Sequence, residues 1–400
     1  MKQPISYKEF VVIVALLMSL TALSIDTMLP ALGIIGTDLN VSHPNDIQLV
    51  ISTVFLGIAL GMVFYGPLSD SYGRKKVLYL GLSIFILGCL LSLSATSLPV
   101  MLLGRFLQGL GVASPRVVNV ALVRDKFSGR SMAQVMSFSM TLFIFVPAVA
   151  PLLGQGILLF FPWQAIFLFF IAFTLFIFAW FALRMEETLC VEKRRAFHLS
   201  VILSGAKETL THPAVFGYTV ILSAILGSFI GFLSSVQQVM QVIYDVGEHF
   251  PFYFAAMALS LGCASFLNGT LVLRYGTKTL ALRAMVMKTI VAFGFLPVLY
   301  MYSGIAPLWL AMGYFMLTFF SVGMLFGNLN AMAMEPLGHI AGIGSAIIGS
   351  LSTLLSLPLG VFIGRMFDGT LYPLVIGFGC VGLFSLAMMA WMNKHQQLTL

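Results

Sequence analysis

Charged side chains are scarce in this chain: only 9% of its 400 residues are Asp, Glu, Lys or Arg, whereas 60% are hydrophobic. Acidic residues are the rarer sign, with 14 Asp and Glu against 21 Lys and Arg. A water-soluble globule of this composition would have too little polar surface to cover itself. The shortage of charge therefore excludes an ordinary soluble domain and predicts that lipid is the solvent for most of the chain.

Cysteine and catalytic motifs are also sparse. The four cysteines, Cys89, Cys190, Cys263 and Cys380, are far apart, which excludes a disulfide framework and a metal-site spacing. The six histidines are scattered, and no G-x-S-x-G or Walker sequence is present. Despite a net charge of +7, no basic stripe with interleaved aromatic residues is present. We predict a protein that is not an enzyme and that uses no cofactor, metal ion or nucleic acid.

What the sequence does contain is a series of apolar runs of about 20 residues, each long enough to cross the roughly 30 Å hydrocarbon core of a bilayer. No small-residue cleavage site follows the first run, so we interpret it as a retained helix. The runs predict an all-α integral membrane protein with twelve transmembrane helices, near residues 9–30, 47–67, 77–95, 99–121, 131–153, 164–184, 213–233, 251–273, 281–301, 308–330, 342–364 and 373–392.

The longest polar stretch separates these helices into two sets of six. It predicts an N-terminal six-helix bundle at 1–184, a cytoplasmic linker at 185–212, and a C-terminal six-helix bundle at 213–400. We interpret the linker as a solvated charged segment without chemistry. Residues 66–75, after helix 2, resemble residues 268–278 at the matching position after helix 8. Duplicated halves are typical of transporters whose substrate site lies near the membrane midplane.

The basic residues are distributed unevenly among the loops. Of the 21 Lys and Arg residues, 17 flank the spans on one side, and these 17 include Lys2 and Arg195. Only Arg365 falls in a loop on the other side, and the remaining three lie within spans. Because basic loops stay in the cytoplasm, this bias predicts that both termini are cytoplasmic. For this multi-pass protein we expect a bacterial inner membrane.

Asp26 is the only acidic residue well inside a predicted span, where a carboxylate is costly. It lies about four residues, or roughly 6 Å, below the outer end of helix 1 near Pro30. Arg105 lies about six residues, or roughly 9 Å, below the same face on helix 4. Their shared depth predicts a pair whose formation and separation would load and unload a proton. Alternatively, Asp26 caps or snorkels at the outer interface and Arg105 forms a structural ion pair.

Further polar and aromatic residues are candidates for the substrate cavity. Five residues of helix 4 fall on one face at helical period, which predicts a wet cavity: Arg105, Gln108, Val112, Arg116 and Asn119. Snorkelling to water is an equal alternative for Arg116 and the favoured interpretation for Lys288 in helix 9. The candidates of the second half, most of which are expected to serve packing, are Phe229, Phe232, Gln237, Met324 and Asn328.

Two segments have the composition of moving parts. Between helices 2 and 3, we predict a conformational latch in which Gly66 and Gly73 permit tight turning, Asp70 caps a helix N-terminus and Arg74 pairs with Asp125. Helix 5 carries residues that break backbone hydrogen bonds and allow close helix approach, namely Pro147, Pro151 and Gly154.

Four stretches of this chain resemble the major facilitator superfamily, and within it the drug:proton antiporters of the bicyclomycin-resistance (Bcr/CflA) type. Residues 66–76 resemble the superfamily signature G-x-L-x-D-x-x-G-R-K, and residues 105–109 resemble the R-x-x-Q-G motif of helix 4. Residues 24–32 resemble the S-x-D-x-x-L-P-A-L of helix 1, and residues 334–342 resemble the turn between helices 10 and 11. The resemblance extends over essentially the whole chain.

This resemblance implies a monomer that moves small amphipathic compounds by alternating access of its two halves, with Asp26 and Arg105 as the coupling and substrate pair. No cytoplasmic domain is large enough to bind ATP, so we expect the energy to come from an ion gradient. The resemblance implies that this gradient acts through proton exchange. Helix 5 departs from the antiporter motif because residues 146–155 lack three of its glycines. The expected function is drug:proton efflux. The alternatives are a dedicated metabolite or siderophore transporter, including an importer, and a sensing or scaffold protein on the same fold.

Overall fold

The computed structural model describes residues 5–194 and 199–398, which contain helices and no β-strand. Lys2 and Arg195, which contribute to the predicted charge bias, lie outside these residues. The α-helices are α1 (Tyr7–Asp26), α2 (Leu32–Asp38), α3 (Leu49–Tyr72), α4 (Arg74–Leu93), α5 (Leu98–Lys126), α6 (Gly129–Leu158), α7 (Gln164–Arg184), α8 (Leu199–Thr211), α9 (Pro213–Gln237), α10 (Phe250–Tyr275), α11 (Thr277–Met301), α12 (Leu308–Met334), α13 (Ala341–Arg365) and α14 (Tyr372–Leu398).

Eleven helical segments of the described residues are long and apolar enough to cross a membrane. Eleven of the twelve predicted spans coincide with these segments. The remaining one, 131–153, falls in α6, where the described residues provide a shorter apolar stretch at Phe145–Leu158. The protein is therefore an all-helical, multi-pass membrane protein, and a twelfth span stays a prediction.

The chain divides into two compact units, Met1–Leu203 and Ser204–Leu400. The boundary falls inside the segment 185–212, which contains α8 and is thus partly helical. In unit 1, α5 packs against α1, α3 and α4, while α7 packs against α1 and α4, and α6 against α1. In unit 2, α12 packs in the same way against α9, α10 and α11, α14 against α9 and α11, and α13 against α9. The two units thus repeat one packing scheme.

Close helix packing in unit 1 depends on glycine. A Cβ atom at Gly57 of α3 would lie 2.2 Å from the carbonyl oxygen of Phe106, and one at Gly109 of α5 would lie 2.0 Å from that of Val54. Real Cβ atoms do not approach oxygen so closely, so α3 and α5 can meet at this distance only because both positions lack a side chain. This contact fixes the part of α5 that carries Arg105.

The two units also share a turn. Gly73 joins α3 to α4 with φ of 99°, and Gly276 joins α10 to α11 with φ of 77°. Both values lie in the left-handed region that favours glycine. The turn at Gly73 agrees with the sequence prediction, whereas the role predicted for Gly66 is wrong. Gly66 lies within α3, which continues through Pro67 to Tyr72, so no turn occurs there.

The first span differs from its prediction in a way that affects Asp26. We predicted that it ends near Pro30, but its helical path continues to Asp38. The α-helix α1 ends at Asp26, and a 3₁₀ turn at Leu29–Ala31 leads into α2. Pro30 lies in the first turn of this 3₁₀ helix, where a missing N–H is tolerated. Asp26 therefore lies at a break within the span rather than close to its end.

Candidate functional site

The carboxylate at the break in the first span is enclosed and has no polar partner. Asp26 is 5% exposed, and within the described part of the chain no group donates a hydrogen bond to its carboxylate. The other two acids of the span are both bonded. Glu9 forms a two-pronged ion pair with Arg184, at 2.7 and 2.8 Å, and Asp38 accepts a 2.7 Å hydrogen bond from Trp163. Asp26 is thus the acid of this span whose charge no hydrogen bond or ion pair from the described residues would stabilise. This is the condition that makes a carboxylate costly in a membrane.

Arg105 holds the end of α1 in place. Its side chain is fully buried, and its Nη2 atom donates to the carbonyl oxygen of Ser24 at 2.8 Å. Its Nε atom donates to the carbonyl of Val50 on α3 at 3.2 Å. The last carbonyls of an α-helix lack N–H partners, and a cation at this end also interacts favourably with the helix dipole. Arg105 therefore contacts the backbone two residues before Asp26, and the ion pair that we predicted between the two side chains is not formed within the described residues.

Gln108 extends this network to α4. Its Oε1 atom accepts a 2.6 Å hydrogen bond from Nη1 of Arg105. Its amide nitrogen donates to the carbonyl of Gly88 at 3.2 Å and to the hydroxyl of Ser92 at 3.0 Å. Together Arg105 and Gln108 link α1, α3, α4 and α5 through buried hydrogen bonds, which are stronger in this low-dielectric interior than in water.

The polar face that we predicted for helix 4 of the sequence lies on α5. Most of this face is buried within unit 1. Gln108 and Val112 are fully buried, and the amide of Asn119 donates to the carbonyl of Val14 on α1 at 3.3 Å. Arg116 is exposed, and no hydrogen bond or ion pair links it to the described residues. In this structure the face binds neighbouring helices, and Arg116 is its one accessible member. Its assignment to a substrate cavity remains a prediction.

Helix α6 approaches the break through Gly154. A Cβ atom on this glycine would lie 2.1 Å from the carbonyl oxygen of Thr27, the residue after Asp26. The helix is continuous through Pro147 and Pro151, the other two residues that we singled out in it. Gly154 thus permits backbone contact between α6 and the first span at the break itself.

The turn between α3 and α4 contains an ion-pair cluster around the buried side chain of Arg74. Arg74 donates from Nε to Asp125 at the end of α5 at 3.0 Å, as the sequence predicted. Its Nη1 atom forms a second ion pair with Asp70 and donates to the hydroxyl of Ser69 at 2.7 Å. These bonds join the ends of α3, α4 and α5, and the proposed use of this cluster as a latch is untested.

The helix cap that we assigned to Asp70 is wrong, because Glu187 supplies it. The carboxylate of Glu187 accepts from the backbone N–H groups of Arg74 at 2.9 Å and Lys75 at 3.1 Å, at the N-terminus of α4. In return, Nζ of Lys75 donates to the carbonyls of Ala182 and Met185 at the end of α7. Asp70 is instead drawn to the side chain of Arg74. The start of the predicted linker is thus bound to the turn rather than simply solvated.

Unit 2 has an aromatic cluster around the position that Arg105 occupies in unit 1. Counted from the first residue of each helix, Phe315 of α12 has the position of Arg105 in α5. Its ring lies 5.1 Å from that of Phe232, which in turn lies 4.8 Å from Phe319. Phe229 continues this cluster towards Phe319 at 5.5 Å. Phe232 is fully buried and serves packing in this structure, whereas Phe229 is partly exposed.

The other predicted cavity residues of unit 2 are buried as well. Asn328 of α12 exchanges two side-chain hydrogen bonds with Asn268 of α10, at 2.7 and 3.2 Å. Met324 belongs to the apolar core of the unit. The amide of Gln237 donates to Gln241 at 2.8 Å, across the start of a π-helical turn that follows α9. Such turns are frequent at functional sites, and this one was not visible in the sequence pattern.

Lys288 does not snorkel to water, which corrects the favoured sequence interpretation. Its side chain is fully buried in unit 2. Its Nζ atom donates to the hydroxyl of Ser228 at 3.2 Å and lies 5.1 Å from the ring centre of Phe378. Sequence depth alone could not distinguish this position from one near the interface, because it does not say which way a helix face points.

Comparison with known proteins places these features in one family. A sequence model of the Major Facilitator Superfamily matches residues 14–360. The "Bicyclomycin resistance protein homolog" of Haemophilus influenzae is 29% identical over 392 residues, covering 97% of each chain. The "Multidrug resistance protein MdtL" of Shewanella oneidensis is 28% identical over 328 residues, covering 81% of each chain.

The fold is also found among solved structures. The crystal structure of a D-xylose-proton symporter matches with a TM-score of 0.71 over 95% of each chain, at 15% sequence identity. At this identity the likeness concerns the fold alone. The sequence motifs, the repeated packing of the two units and the structural match therefore agree.

Proposed function

This chain belongs to the Major Facilitator Superfamily, and we propose that it is a proton-coupled exporter of small amphipathic compounds. Members of this family move small molecules across membranes without chemical conversion. We further propose that the chain lies in the bacterial inner membrane, with both termini in the cytoplasm, as the distribution of Lys and Arg predicts. Alternating access of the two units would then expose a substrate site to each side in turn.

The enclosed and unpaired carboxylate of Asp26 is the observation that supports proton coupling. A negative charge enclosed without a partner is costly, and binding a proton removes that cost. Hydration of the site would favour the charged form again. A conformational change that alternately hydrates and encloses Asp26 would therefore bind and release one proton per cycle, which is the chemistry that proton-coupled transport requires.

The surroundings of Asp26 suggest how its charge would act on the helices. Asp26 ends α1, Arg105 binds the carbonyl of Ser24 just before it, and Gly154 of α6 contacts the backbone of Thr27 just after it. The backbone from Ser24 to Thr27 is thus held by Arg105 on one side of Asp26 and by α6 on the other. A change of charge at Asp26 would act directly on this short segment. We propose that Arg105 positions this stretch and attracts the new charge when Asp26 loses its proton.

The cluster around Arg74 is our candidate for a conformational latch. It joins the ends of α3, α4 and α5 through Asp70 and Asp125, and Glu187 ties it to the segment after α7. Ion pairs of this kind can break and reform with the small changes in hydration that accompany domain movement. The latch would stabilise one conformation of the cycle without contacting substrate.

Export rather than import is favoured by the names of the two relatives, which concern resistance to bicyclomycin and to multiple drugs. The incomplete antiporter motif in residues 146–155 leaves direction as the part of the proposal that most needs a test.

The experiment is drug accumulation and growth inhibition in an efflux-deficient bacterial host. The host would express wild type, Asp26→Asn, Arg105→Ala or the control Asp245→Asn, which alters an exposed acid in a loop. We expect wild type and the control to lower drug accumulation until a protonophore is added, and the two site variants to be inactive at equal membrane expression. Export by wild type that survives the protonophore would contradict proton coupling. Protein-dependent uptake of the compounds would contradict export.

A further inference from the structure

Within the described residues of unit 2, no acidic side chain pairs with the buried amino group of Lys288. Its contacts are one hydroxyl, that of Ser228 at 3.2 Å, and the face of one ring, that of Phe378 at 5.1 Å. None of the helices α9 to α14 contains an Asp or Glu residue. The helices that pack against α11 are α10, α12 and α14. Away from their ends, their titratable side chains are Tyr253, Cys263, Tyr314 and Cys380. Tyr218 is the one such side chain on α9, which bears Ser228, and Arg283 is the other cation in the interior of α11.

A charged ammonium in this position is expensive. Burial of an unpaired ionised group costs several kcal/mol even after relaxation, by order of magnitude. A hydroxyl and an aromatic face, at about 1 kcal/mol each, offset only part of this cost. A lysine that served packing alone would be replaced at no loss by an apolar side chain, so the amino group needs another explanation.

The sister unit shows that the fold does not require a lysine here. Counted from the first residue of each helix, Lys288 in α11 has the position of Phe85 in α4, and Phe378 in α14 has that of Phe170 in α7. In unit 1 the two phenylalanines lie 6.2 Å apart, ring centre to ring centre. Unit 2 thus has a lysine on an aromatic ring where unit 1 has an ordinary aromatic pair.

We propose that Lys288 is a second ionisable site of the transport cycle, one that gains and loses a proton as unit 2 changes conformation. This inference builds on the proposed function by adding a proton site in unit 2 to Asp26 in unit 1. The proton binds to the lone pair of the amine to give the ammonium and leaves to water when the site is hydrated. The hydroxyl of Ser228 on α9 accepts a hydrogen bond from the amine of Lys288 on α11, so the charge of the amine acts on a link between these two helices.

The first test asks whether Lys288 reaches water. Purified full-length protein in lipid nanodiscs would be treated with formaldehyde and a mild reductant, which methylate uncharged and hydrated amines. Peptide mass spectrometry would then locate the label. We expect Lys288 to be methylated more slowly than the exposed Lys278, at a rate that rises with pH. Absence of label at Lys288 after Lys278 is complete, at every pH, would overturn the inference whatever the substrate is.

The second test counts protons. Proteoliposomes containing the pH indicator pyranine would report the protons moved per ethidium cation exported, for wild type, Lys288→Phe and Lys288→Arg. Phenylalanine reproduces the aromatic pair of unit 1, and arginine keeps the charge without releasing its proton. We expect both variants to move about one proton fewer per ethidium than wild type. A wild-type ratio in either variant would overturn the inference.

The two tests separate this inference from the proposed function. If wild type exports no ethidium against a proton gradient, the proposed function fails for that cation, and the labelling experiment still decides on Lys288. If wild type is coupled and either Lys288 variant has the wild-type proton-to-ethidium ratio, the second site alone is wrong.

Discussion

Nη2 of Arg105 donates a 2.8 Å hydrogen bond to the carbonyl oxygen of Ser24, two residues before the carboxylate of Asp26. Both side chains are buried in unit 1, yet they form no ion pair. The arginine instead occupies the C-terminal end of α1, where free carbonyls and the helix dipole favour a cation. The guanidinium of Arg105 is therefore bound to the backbone two residues from Asp26 and, in the part of the chain that the structure describes, is not paired with another acid. It would attract the carboxylate if Asp26 lost its proton.

Replacement of Arg105 should destabilise the protein as well as stop transport. Arg105→Ala leaves three buried acceptors without their donor, in Ser24, Val50 and Gln108. At about 1 to 3 kcal/mol for each unsatisfied group, the loss is about 3 kcal/mol or more. Thermal unfolding in detergent should show a clear decrease in Tm. Arg116→Ala, on the same helix but exposed, is the control and should leave Tm nearly unchanged. Equal Tm values for both variants would refute the anchoring role.

Gly154 and Gly156 provide a matched pair in α6. A Cβ at Gly154 would lie 2.1 Å from the backbone of Thr27, whereas one at Gly156 would meet nothing within 4 Å. We expect Gly154→Ala to displace α6 from the break, lower Tm and abolish export. Gly156→Ala should be neutral or stabilise the helix by up to about 1 kcal/mol. Tm and drug accumulation measured on both would decide, and normal export by Gly154→Ala would show that the close contact is dispensable.

Glu187 should matter more than its charged neighbour. Glu187→Ala removes the acceptor for two backbone N–H groups at the start of α4. Each lost capping hydrogen bond should lower the free energy of unfolding by about 1 kcal/mol. Glu186→Ala changes an exposed residue and should have no effect. Hydrogen exchange at the first turn of α4 is the most direct measurement, and we expect faster exchange only in the Glu187 variant. Equal exchange in the two variants would contradict the cap.

Alanine substitutions at the two repeated turns, Gly73 and Gly276, would distinguish the cost of backbone strain from the cost of a steric contact. A Cβ at Gly276 would meet nothing within 4 Å, so Gly276→Ala should cost only the strained backbone conformation, about 1 to 3 kcal/mol. Gly73→Ala has the same strain and also places its Cβ 2.5 Å from Oε2 of Glu187. Its decrease in Tm should therefore be larger. A Gly73→Ala protein as stable as the Gly276→Ala protein would show that Glu187 moves aside freely.

The fold was largely predictable from the sequence because the bilayer restricts it. Apolar runs of the required length, the duplicated turn and the break between halves follow from composition and spacing alone. The end of the first span was not predictable in this way. Pro30 in the sequence is consistent with a helix stop, but proline is equally suited to the first turn of a new helix, and only the backbone path distinguishes the two cases.

The candidate site was predicted in its residue types more than in its bonds. Asp26 and Arg105 are unusual in a membrane span and so were found from the sequence, as was the pairing of Arg74 with Asp125. Glu187 was missed because its partners are backbone N–H groups more than a hundred residues away. Lys288 was misjudged because depth along a helix says nothing about the direction of the side chain. Long-range contacts of these kinds leave no local pattern.

The most direct test of the account is transport by Asp26→Asn in proteoliposomes, with Asp245→Asn as the control. Two modes are compared for ethidium: net export driven by an imposed pH gradient, and exchange of labelled for unlabelled compound without a gradient. If Asp26 is the coupling acid, its amide variant keeps exchange but loses the gradient-driven export that wild type and the control perform. Gradient-driven export at the wild-type rate by Asp26→Asn would contradict the central claim.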